Sequence, residues 1–394
     1  MSDVVRVREL AEQLRGVSYR KSDASSTPRP GYLPVLRAGN ITEDGLTFED
    51  LVYVPAERIS AKQKIRRNDV VIAASSGSLD VVGKAARAID DYDGGFGAFC
   101  KVLRPGPDVD PAYFAHFFRT QQYRQRVSAL AAGININNLR NEHLDEIQIP
   151  IPSLHMQRRI AEILDKADAL RANRRAALAQ LDTLTQSIFL EMFGDPALNP
   201  AGWSTSTLDD LFAISRGGSP RPIDDYITEN QDGVNWIMIG DAPEGSKYIT
   251  ATRKKIKPEG AKRSRIVKPG DFLLTNSMSF GRPYIMRTSG CIHDGWLVLS
   301  PRKPNVVPDY FYSLLGSRAL YTEFSRRAPG ATVKNLNIGL VRSVVVPVPP
   351  EAMQRKYSER VSAIEGLTVP FQRSLDGLEG LFASLEQRAF RGGL

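Results

Sequence analysis

The chain repeats its own sequence, and this repeat limits the possible folds more than any other feature. Residues 111–114, Pro-Ala-Tyr-Phe, return 197 positions later as Pro-Asp-Tyr-Phe at 308–311. The same shift relates 133–139 to 330–336, 149–152 to 346–349, 156–158 to 353–355, and Leu181, Leu184, Ile188 and Phe193 to Leu378, Leu381, Leu385 and Phe390. A chain of 394 residues is also too long for one ordinary core. The sequence therefore predicts two similar halves.

The upstream parts of the two halves match more loosely. Arg15 and Gly16 correspond to Arg216 and Gly217 at a shift of 201 residues. Asp69 corresponds to Asp271 at a shift of 202 residues. Halves that share a framework but differ in their central sequences are expected if they have similar functions on different targets.

Each half is predicted to be a mixed domain followed by a long helix, so the fold class is α+β. Short β-type runs such as 70–73, 148–151 and 296–299 alternate with Gly, Pro and Asn. Helices beginning with proline are predicted at 111–130 and 308–327. The predicted domains are 1–153 and 196–351, and the predicted long helices lie within 154–195 and 352–394.

Apolar residues recur at nearly heptad spacing from 155 to 193 and from 352 to 390, which indicates an antiparallel coiled-coil pair within the chain. Pro370 interrupts the second pattern, so a kink or break is expected there. A helix of about 39 residues is about 58 Å long, longer than the ~34 Å of one turn of DNA. The pair is expected to act as a spacer. A bundle core or a homodimerisation coiled coil is the alternative.

The net charge of +8 and pI ≈ 9.4 favour a polyanionic partner, either nucleic acid or an acidic membrane surface. No apolar run approaches a membrane span, and residues 1–15 lack the apolar segment of a secretory signal. Cys100 and Cys291 form no CxxC pair, and the histidines have no metal-ligand spacing. These features predict a cytoplasmic protein without a metal site.

Basic stretches precede the matching strands at Asp69 and Asp271, and we expect them to contact DNA phosphates. Their members are Lys62, Lys64, Arg66 and Arg67 in the first half, and Lys254, Lys255, Lys257, Lys262, Arg263 and Arg265 in the second. Several of them are equally compatible with an ordinary solvated loop.

Small polar loops follow the same strands, and their hydroxyl and amide groups suit close approach to DNA. The candidates are Ser75, Ser76, Ser78 and Lys84, with Asn276, Ser277, Ser279 and Arg282 in the second half. Similar chemistry recurs at Asn135, Asn137 and Asn138, and at Lys334 and Asn335. Any one of these residues is equally compatible with a turn or a cap.

Two segments of the chain partly resemble catalytic motifs, but neither matches. The segment from Gly77 to Lys84 departs from a phosphate-binding loop in its glycine spacing, and Ala85 replaces the Ser or Thr that the loop needs. Asp90, Asp91 and Asp93 with Lys101 form only a loose carboxylate–lysine set in a glycine-rich context, which favours a turn. The sequence therefore predicts no catalytic residues.

The doubled order of these segments resembles the specificity subunit of type I restriction-modification systems. The residues that carry the resemblance are Gly133, Asn138, Leu139, 149–152 and Gln157 before one long helix, and Gly330, Asn335, Leu336, 346–349 and Gln354 before the other, together with 214–220 and 278–283.

This resemblance implies two target-recognition domains, each reading one half of a bipartite, asymmetric sequence in double-stranded DNA. It implies that the paired helices set the gap between half-sites and dock two modification subunits. Those subunits bind S-adenosylmethionine and methylate adenine, whereas a separate restriction subunit uses ATP and Mg. No cofactor is expected in this chain.

Two other classes of function remain open from the residues themselves. A self-contained methyltransferase or nuclease with an unrecognised site would show cofactor-dependent activity alone. A coiled-coil interaction protein would show no sequence preference on DNA. The duplication favours the specificity subunit because it explains the basic loops and the helices together.

Overall fold

The computed structural model describes residues 3–131, 137–242, 245–276, 280–327, 335–391 and 393, without the side chains of Ala131 and Asn137. The chain forms two compact units. One comprises Met1–Ala177 with Phe371–Leu394, and the other comprises Leu178–Pro370. The boundary between them falls inside both long helices.

The first unit contains thirteen short strands and most of its helices between residues 3 and 177, counted over its described residues. The strands are β1 (Asp3–Arg6), β2 (Ala11–Arg15), β3 (Tyr32–Leu36), β4 (Ile41–Thr42), β5 (Gly45–Leu46), β6 (Val52–Pro55), β7 (Val70–Ala73), β8 (Ser75–Ser76), β9 (Ala85–Arg87), β10 (Gly95–Phe96), β11 (Cys100–Pro105), β12 (Asn137–Asn138) and β13 (Gln148–Ile151). The helices are α1 (Val7–Leu10), α2 (Pro111–Phe117), α3 (Gln121–Ala131), α4 (Asn141–Asp145) and α5 (Leu154–Phe193), which continues into the second unit.

The main sheet of the first unit has the antiparallel order β2-β11-β7-β9. Its strand β7 is buried throughout, and successive side chains face opposite sides. Val70 and Ile72 pack with Tyr113 of α2, whereas Val71 packs with Phe96 beside the smaller β10-β3-β6 sheet. The sheet therefore separates a helical side from a second, smaller sheet.

The second unit repeats this plan from residue 205 onward. Its strands are β14 (Thr205–Thr207), β15 (Phe212–Arg216), β16 (Ile227–Thr228), β17 (Val234–Ile237), β18 (Tyr248–Ile249), β19 (Lys254–Ile256), β20 (Arg265–Val267), β21 (Phe272–Thr275), β22 (Pro283–Met286), β23 (Gly290–Ile292), β24 (Trp296–Pro301) and β25 (Val345–Pro347). Its helices are α6 (Leu208–Leu211), α7 (Pro258–Ala261), α8 (Pro308–Leu315), α9 (Arg318–Arg327), α10 (Ile338–Arg342) and α11 (Glu351–Arg391), which continues into the first unit.

The strand orders confirm the predicted duplication. The order β15-β24-β21-β22 in the second unit matches β2-β11-β7-β9 in the first, and β23-β17-β19 matches β10-β3-β6. In each unit, the first strand pairs antiparallel with the strand just before the long helix. These pairs are β1 with β13 and β14 with β25. The prediction of two similar mixed domains, each followed by a long helix, is correct.

The two long helices pair in antiparallel fashion within each unit. In the first unit, Phe390 near the end of α11 lies in the same buried cluster as Ile160 near the start of α5. In the second unit, Tyr357 near the start of α11 packs against Phe189 and Phe193 at the end of α5, with ring centroids 5.6 and 5.5 Å apart. The beginning of each helix thus lies beside the end of the other.

Of the kink or break expected at Pro370, the break is wrong, because helix α11 runs through Pro370 without interruption. A proline inside a helix costs about 3 kcal/mol because it removes one backbone hydrogen bond and crowds the preceding turn. In α11 the backbone hydrogen bond that Pro370 cannot make would go to the Gly366 carbonyl. Side-chain packing stabilises the helix before and after Pro370. Ile364 is buried in the second unit, and the Arg174 guanidinium lies 4.3 Å from the ring centre of Phe371 in the first.

Each of the two shorter predicted helices, at 111–130 and 308–327, is divided in two, which corrects the sequence prediction. The gap follows Phe117 in the first unit and Leu315 in the second. The hydroxyls of Thr120 and Ser317 each accept a hydrogen bond from the backbone N–H three residues later, at 3.2 and 3.3 Å. Ser and Thr are preferred at the N-cap of a helix, where the hydroxyl accepts a hydrogen bond from a backbone N–H, so they favour the start of a second helix here.

Candidate nucleic-acid interface

Two polar loops of the first half, predicted separately, lie side by side. Strand β8 pairs antiparallel with β12, so that Ser76 lies opposite Asn137 and Ser75 opposite Asn138. Asn138 is exposed and the two serines are half-buried. The fold therefore gathers hydroxyl and amide groups from distant parts of the sequence into one short ribbon.

The second half repeats the backbone contact that joins these loops. The Leu139 N–H donates to the Ala74 carbonyl at 2.8 Å, and the Leu336 N–H donates to the Asn276 carbonyl at 3.1 Å. Asn276 is buried, whereas Asn335, beside Leu336, is exposed. Four predicted residues, Asn135, Ser277, Ser279 and Lys334, and the side chain of Asn137 lie outside the described residues.

Ser78, Lys84 and Arg282 take other positions. The Ser78 N–H donates to Ser76 Oγ at 3.2 Å, as in a local turn. Arg282 is half-buried, and its backbone N–H donates to Thr275 Oγ1 at 2.9 Å. Lys84 lines a separate cavity of about 510 Å³ beside the C-terminal part of α11. Lys84 is therefore not grouped with the polar ribbon.

The first basic stretch is partly neutralised by carboxylates. Lys62 Nζ lies 3.1 Å from Glu12 Oε1, and Lys64 Nζ lies 2.6 Å from Asp93 Oδ1. Its other two members, Arg66 and Arg67, are exposed. Since exposed ion pairs are weak, a phosphate can compete for these lysines, but at a reduced net charge.

The second basic stretch keeps more of its positive charge. Lys257 Nζ donates to the Asp225 carbonyl at 2.7 Å, and Arg263 donates to the Tyr226 hydroxyl at 2.9 Å. Both acceptors are uncharged. The exposed members are Lys254, Lys257, Lys262, Arg263 and Arg265, and Lys255 is half-buried. This stretch is therefore the better-charged surface for phosphate groups.

Each unit has a cleft of about 760 Å³ at the same place in its fold. In the first unit β3 pairs in parallel with β10, and in the second unit β17 pairs in parallel with β23. Gly97 follows β10 and His293 follows β23, and each lines the cleft of its unit. Ser75 and Lys254, both predicted to contact DNA, also line these clefts.

The first cleft, here called cleft 1, presents carboxylates. Asn40 is buried and donates to the Glu49 carbonyl at 2.7 Å, and its own Oδ1 accepts from the Arg37 N–H at 2.9 Å. The Arg37 guanidinium donates to the Asp50 carbonyl at 2.5 Å. These bonds fix the backbone, so the side chains of Glu49 and Asp50 extend from a well-held loop into solvent.

The cleft of the second unit, here called cleft 2, has an aromatic floor and a cationic rim. Trp236 is buried at its base, and Lys254 is exposed at its edge. The Arg221 guanidinium lies 3.2 Å from Asp294 Oδ2, and Asp294 Oδ1 accepts from Ser219 Oγ at 2.9 Å. Burial alone would raise the pKa of Asp294, but the Ser219 hydrogen bond and the nearby Arg221 guanidinium help to lower it overall.

A buried glutamine joins each long helix to its domain. Gln157 Oε1 accepts from the Asp110 N–H, and Gln157 Nε2 donates to the Pro152 carbonyl, both at 2.8 Å. Gln354 makes the equivalent bonds, to the backbone N–H before α8 at 3.2 Å and to the Pro349 carbonyl at 2.8 Å. The repeated Pro-x-Pro and Gln segments are therefore a structural joint between domain and helix.

The carboxylate–lysine set considered from the sequence is not assembled. Lys101 Nζ donates to Asn141 Oδ1 at 2.7 Å, whereas Asp91 accepts from the Arg67 N–H and Asp93 pairs with a lysine as described above. Burial lowers the pKa of Lys101 to about 8.

Across the described ranges, no cluster of three His, Cys, Asp or Glu residues is arranged to hold a metal ion. Within those ranges, no helix combines the length and apolarity that a membrane crossing requires.

The sequence profile of the Type I restriction modification DNA specificity domain matches residues 2–181 and again residues 200–372. The chain belongs to this family. The type I StySPI specificity subunit of Salmonella potsdam is 45% identical over 97% of this chain and 86% of its own length. The EcoKI specificity subunit of Escherichia coli K12 is 41% identical over the same shares.

Solved structures share the fold of this specificity-subunit chain. The S subunit of the type I restriction-modification system of M. genitalium superposes with a TM-score of 0.54 at 16% identity, over 99% of this chain and 96% of that one. A chain from a structure of assembly and conformational transition in the type I R-M system gives a TM-score of 0.54 at 19% identity, over 100% and 98%. These likenesses support the doubled architecture.

Sequence reasoning found Lys254 but missed the other charged residues and the aromatic residues that line the two clefts of this specificity subunit. One signal was present in the repeated glycines, Gly16 and Gly217. A Cβ at either position would lie 2.0 Å from the carbonyl oxygen of Gly97 or His293, respectively. Only glycine permits such close approach of two backbone segments. The paired glycines thus mark the wall of each cleft.

Proposed function

We propose that this chain reads a two-part, asymmetric DNA target, with one unit reading each part. The observation that carries the proposal is the pair of clefts at equivalent positions on a repeated frame. Their linings differ, as expected if the two parts of the target differ. The recognition domains would be 1–153 and 196–351, and the helical spacers would be 154–195 and 352–394.

The DNA-facing surface of each unit would combine phosphate contacts with base contacts. In the first unit the candidates are Lys62, Lys64, Arg66, Arg67, Ser75, Ser76, Ser78, Lys84, Asn135, Asn137 and Asn138. In the second they are Lys254, Lys255, Lys257, Lys262, Arg263, Arg265, Asn276, Ser277, Ser279, Arg282, Lys334 and Asn335. The exposed cations Lys257, Lys262, Arg263 and Arg265 of the second basic stretch support the phosphate part of this assignment.

The chain would contribute recognition rather than catalysis. The paired helices would set the gap between half-sites and dock two modification subunits. Exposed leucines on these helices support protein docking, for example Leu170, Leu184, Leu367 and Leu381. S-adenosylmethionine would bind the modification subunits, ATP and Mg would act with a separate restriction subunit, and the complex would work in the cytoplasm.

Co-expression with its modification subunits, followed by sequencing of methylated genomic positions, tests the proposal. The expected result is methylated adenine in a motif of two specified parts separated by a fixed gap. Exchanging residues 1–153 with those of a relative should change one part of the motif, and exchanging 196–351 should change the other. A single contiguous palindrome, or no motif, would contradict the proposal.

A further inference from the structure

Cleft 2 differs from cleft 1 at positions that the shared frame makes equivalent. The parallel strand pairs place Trp236 opposite Cys291 and Val35 opposite Gly95, so Trp236 stands where the first unit has Val35. By the same register, His293 stands where the first unit has Gly97. The second unit therefore places an indole ring and an imidazole ring where the first unit has Val35 and Gly97, and both rings line cleft 2.

The orientation of the His293 ring makes it a hydrogen-bond donor. Its Nδ1 accepts from the Gly295 backbone N–H at 2.9 Å. Burial lowers the pKa of His293 and so favours the neutral ring, although Asp294 opposes the shift. A neutral ring that accepts at Nδ1 carries its hydrogen on Nε2. The ring thus offers one N–H to a ligand in the cleft.

Two cations stand at the rim of the same cleft. Lys254 on β19 lies opposite Trp236 on β17, so its side chain starts from the strand beside the aromatic floor. The Arg221 side chain is 78% exposed, and one of its terminal nitrogens, Nη2, pairs with Asp294 Oδ2 at 3.2 Å. Among the residues that line the cleft, Arg221 and Lys254 stand against one carboxylate, Asp224.

We propose that cleft 2 reads a guanine in the half-site of the second unit, with Arg221 and Lys254 donating hydrogen bonds to its O6 and N7 atoms. Guanine presents two acceptors side by side in the major groove, whereas adenine and cytosine each present an amino donor there, and thymine presents a methyl group. Arginine and lysine donors are the common partners of that guanine edge. Cleft 1 is lined by Glu49 and Asp50 against one cation, Arg37, so its lining has a net negative charge and would suit guanine less well.

This inference rests on the proposed function and adds a base to one part of the target. The test uses the assembled methyltransferase complex and DNA duplexes in which each specified base pair is replaced in turn. The half-site of the second unit is first identified by the 196–351 exchange. Arg221→Met and Lys254→Met should each reduce discrimination at one guanine by roughly tenfold and leave the other half-site unchanged.

Lys268→Met is the matched control, because Lys268 is exposed in the same unit and does not line the cleft. It should leave every base preference unchanged. Uniform weakening on all sequences by the Arg221 or Lys254 variants, with a shallower salt dependence, would mean phosphate contact and would overturn the inference. So would a second half-site without guanine. A wild-type complex without any two-part preference would instead defeat the proposed function itself.

Discussion

Lys247 Nζ donates to Glu365 Oε1 at 2.6 Å, and thereby ties the second domain to α11. Asp168 occupies the equivalent position on α5 and pairs with Arg119 at 2.6 Å in the first unit. The two acids are 197 residues apart, but their cations come from different elements: Arg119 follows α2, whereas Lys247 precedes β18. The duplicated helices keep the carboxylate, and each domain supplies its own cation.

Removing Lys247 should destabilise the second unit. Lys247 also pairs with Asp309, and both carboxylates would lose their shared cation in a mostly buried setting. Lys247→Met should therefore lower the free energy of unfolding by about 2 kcal/mol, measured by scanning calorimetry. Lys166→Met removes only an exposed pair with Glu162 and should cost less than about 0.5 kcal/mol. Equal effects of both variants would contradict this reading.

Glu386 makes the first unit less stable as pH rises. Burial raises its pKa from 4.5 to about 7, against the opposing effect of Arg119 and Arg171, with Asp168 adding to the rise. Its Oε1 has no hydrogen-bond partner among the described residues. Since the folded-state pKa lies above the unfolded one, the stabilising contribution is complete below about pH 4.5 and is lost as pH rises through about 7.

Glu386→Gln should therefore raise stability at pH 8 by about 1–3 kcal/mol and change little at pH 4.5. Thermal unfolding across this pH range provides the measurement. Glu379→Gln is the control on the same helix. Arg171 and Arg175 lower the pKa of Glu379 despite its partial burial, so this change should reduce stability at pH 8. Effects of the same sign for both variants would rule out the assignment.

The buried glutamines Gln157 and Gln354 should contribute more to the free energy of unfolding than an exposed glutamine does. Gln157→Ala leaves a buried N–H and a buried carbonyl without their partner, which should cost about 1–3 kcal/mol. Gln354→Ala should cost a similar amount in the second unit. Gln186→Ala on the exposed side of α5 should be within about 0.5 kcal/mol of the parent. Urea unfolding of the three variants decides this, and a neutral Gln157→Ala would refute it.

The two basic stretches should differ in their electrostatic contribution to DNA binding. Replacing Lys257 and Lys262 by methionine should weaken binding to all sequences and reduce the slope of log K against log salt by about 2. Replacing Lys62 and Lys64 should reduce that slope less, because each already pairs with a carboxylate. Binding measured by fluorescence anisotropy at several salt concentrations makes the comparison. Equal slopes for the two double variants would contradict it.

The sequence predicts the parts of the fold that depend on local periodicity. The apolar run Val70–Ala73 is a buried strand, and the heptad patterns are the two long helices. The internal gaps at Thr120 and Ser317 were not predicted, because both residues also occur within helices. Their role as caps depends on tertiary packing of the aromatic residues around them.

The candidate site was less predictable because it depends on distant strands. Cleft 2 needs the parallel pairing of β17 with β23, which brings Trp236 and His293 together across more than fifty residues of sequence. No local pattern specifies that pairing. The basic stretches were visible from composition, but the neutralising partners of Lys62 and Lys64 were not, since Glu12 and Asp93 are far from them in sequence.

The division of both long helices between units has a consequence for biosynthesis. The second unit is one continuous segment, Leu178–Pro370, whereas the first also requires Phe371–Leu394. A ribosome therefore delivers every residue of the second unit before it delivers the last segment of the first. The ring of Phe390 packs 5.0 Å from that of Tyr113, so the domain translated first is completed last. A premature stop codon after residue 370 would thus leave the second unit whole and deprive the first unit of the segment that completes it.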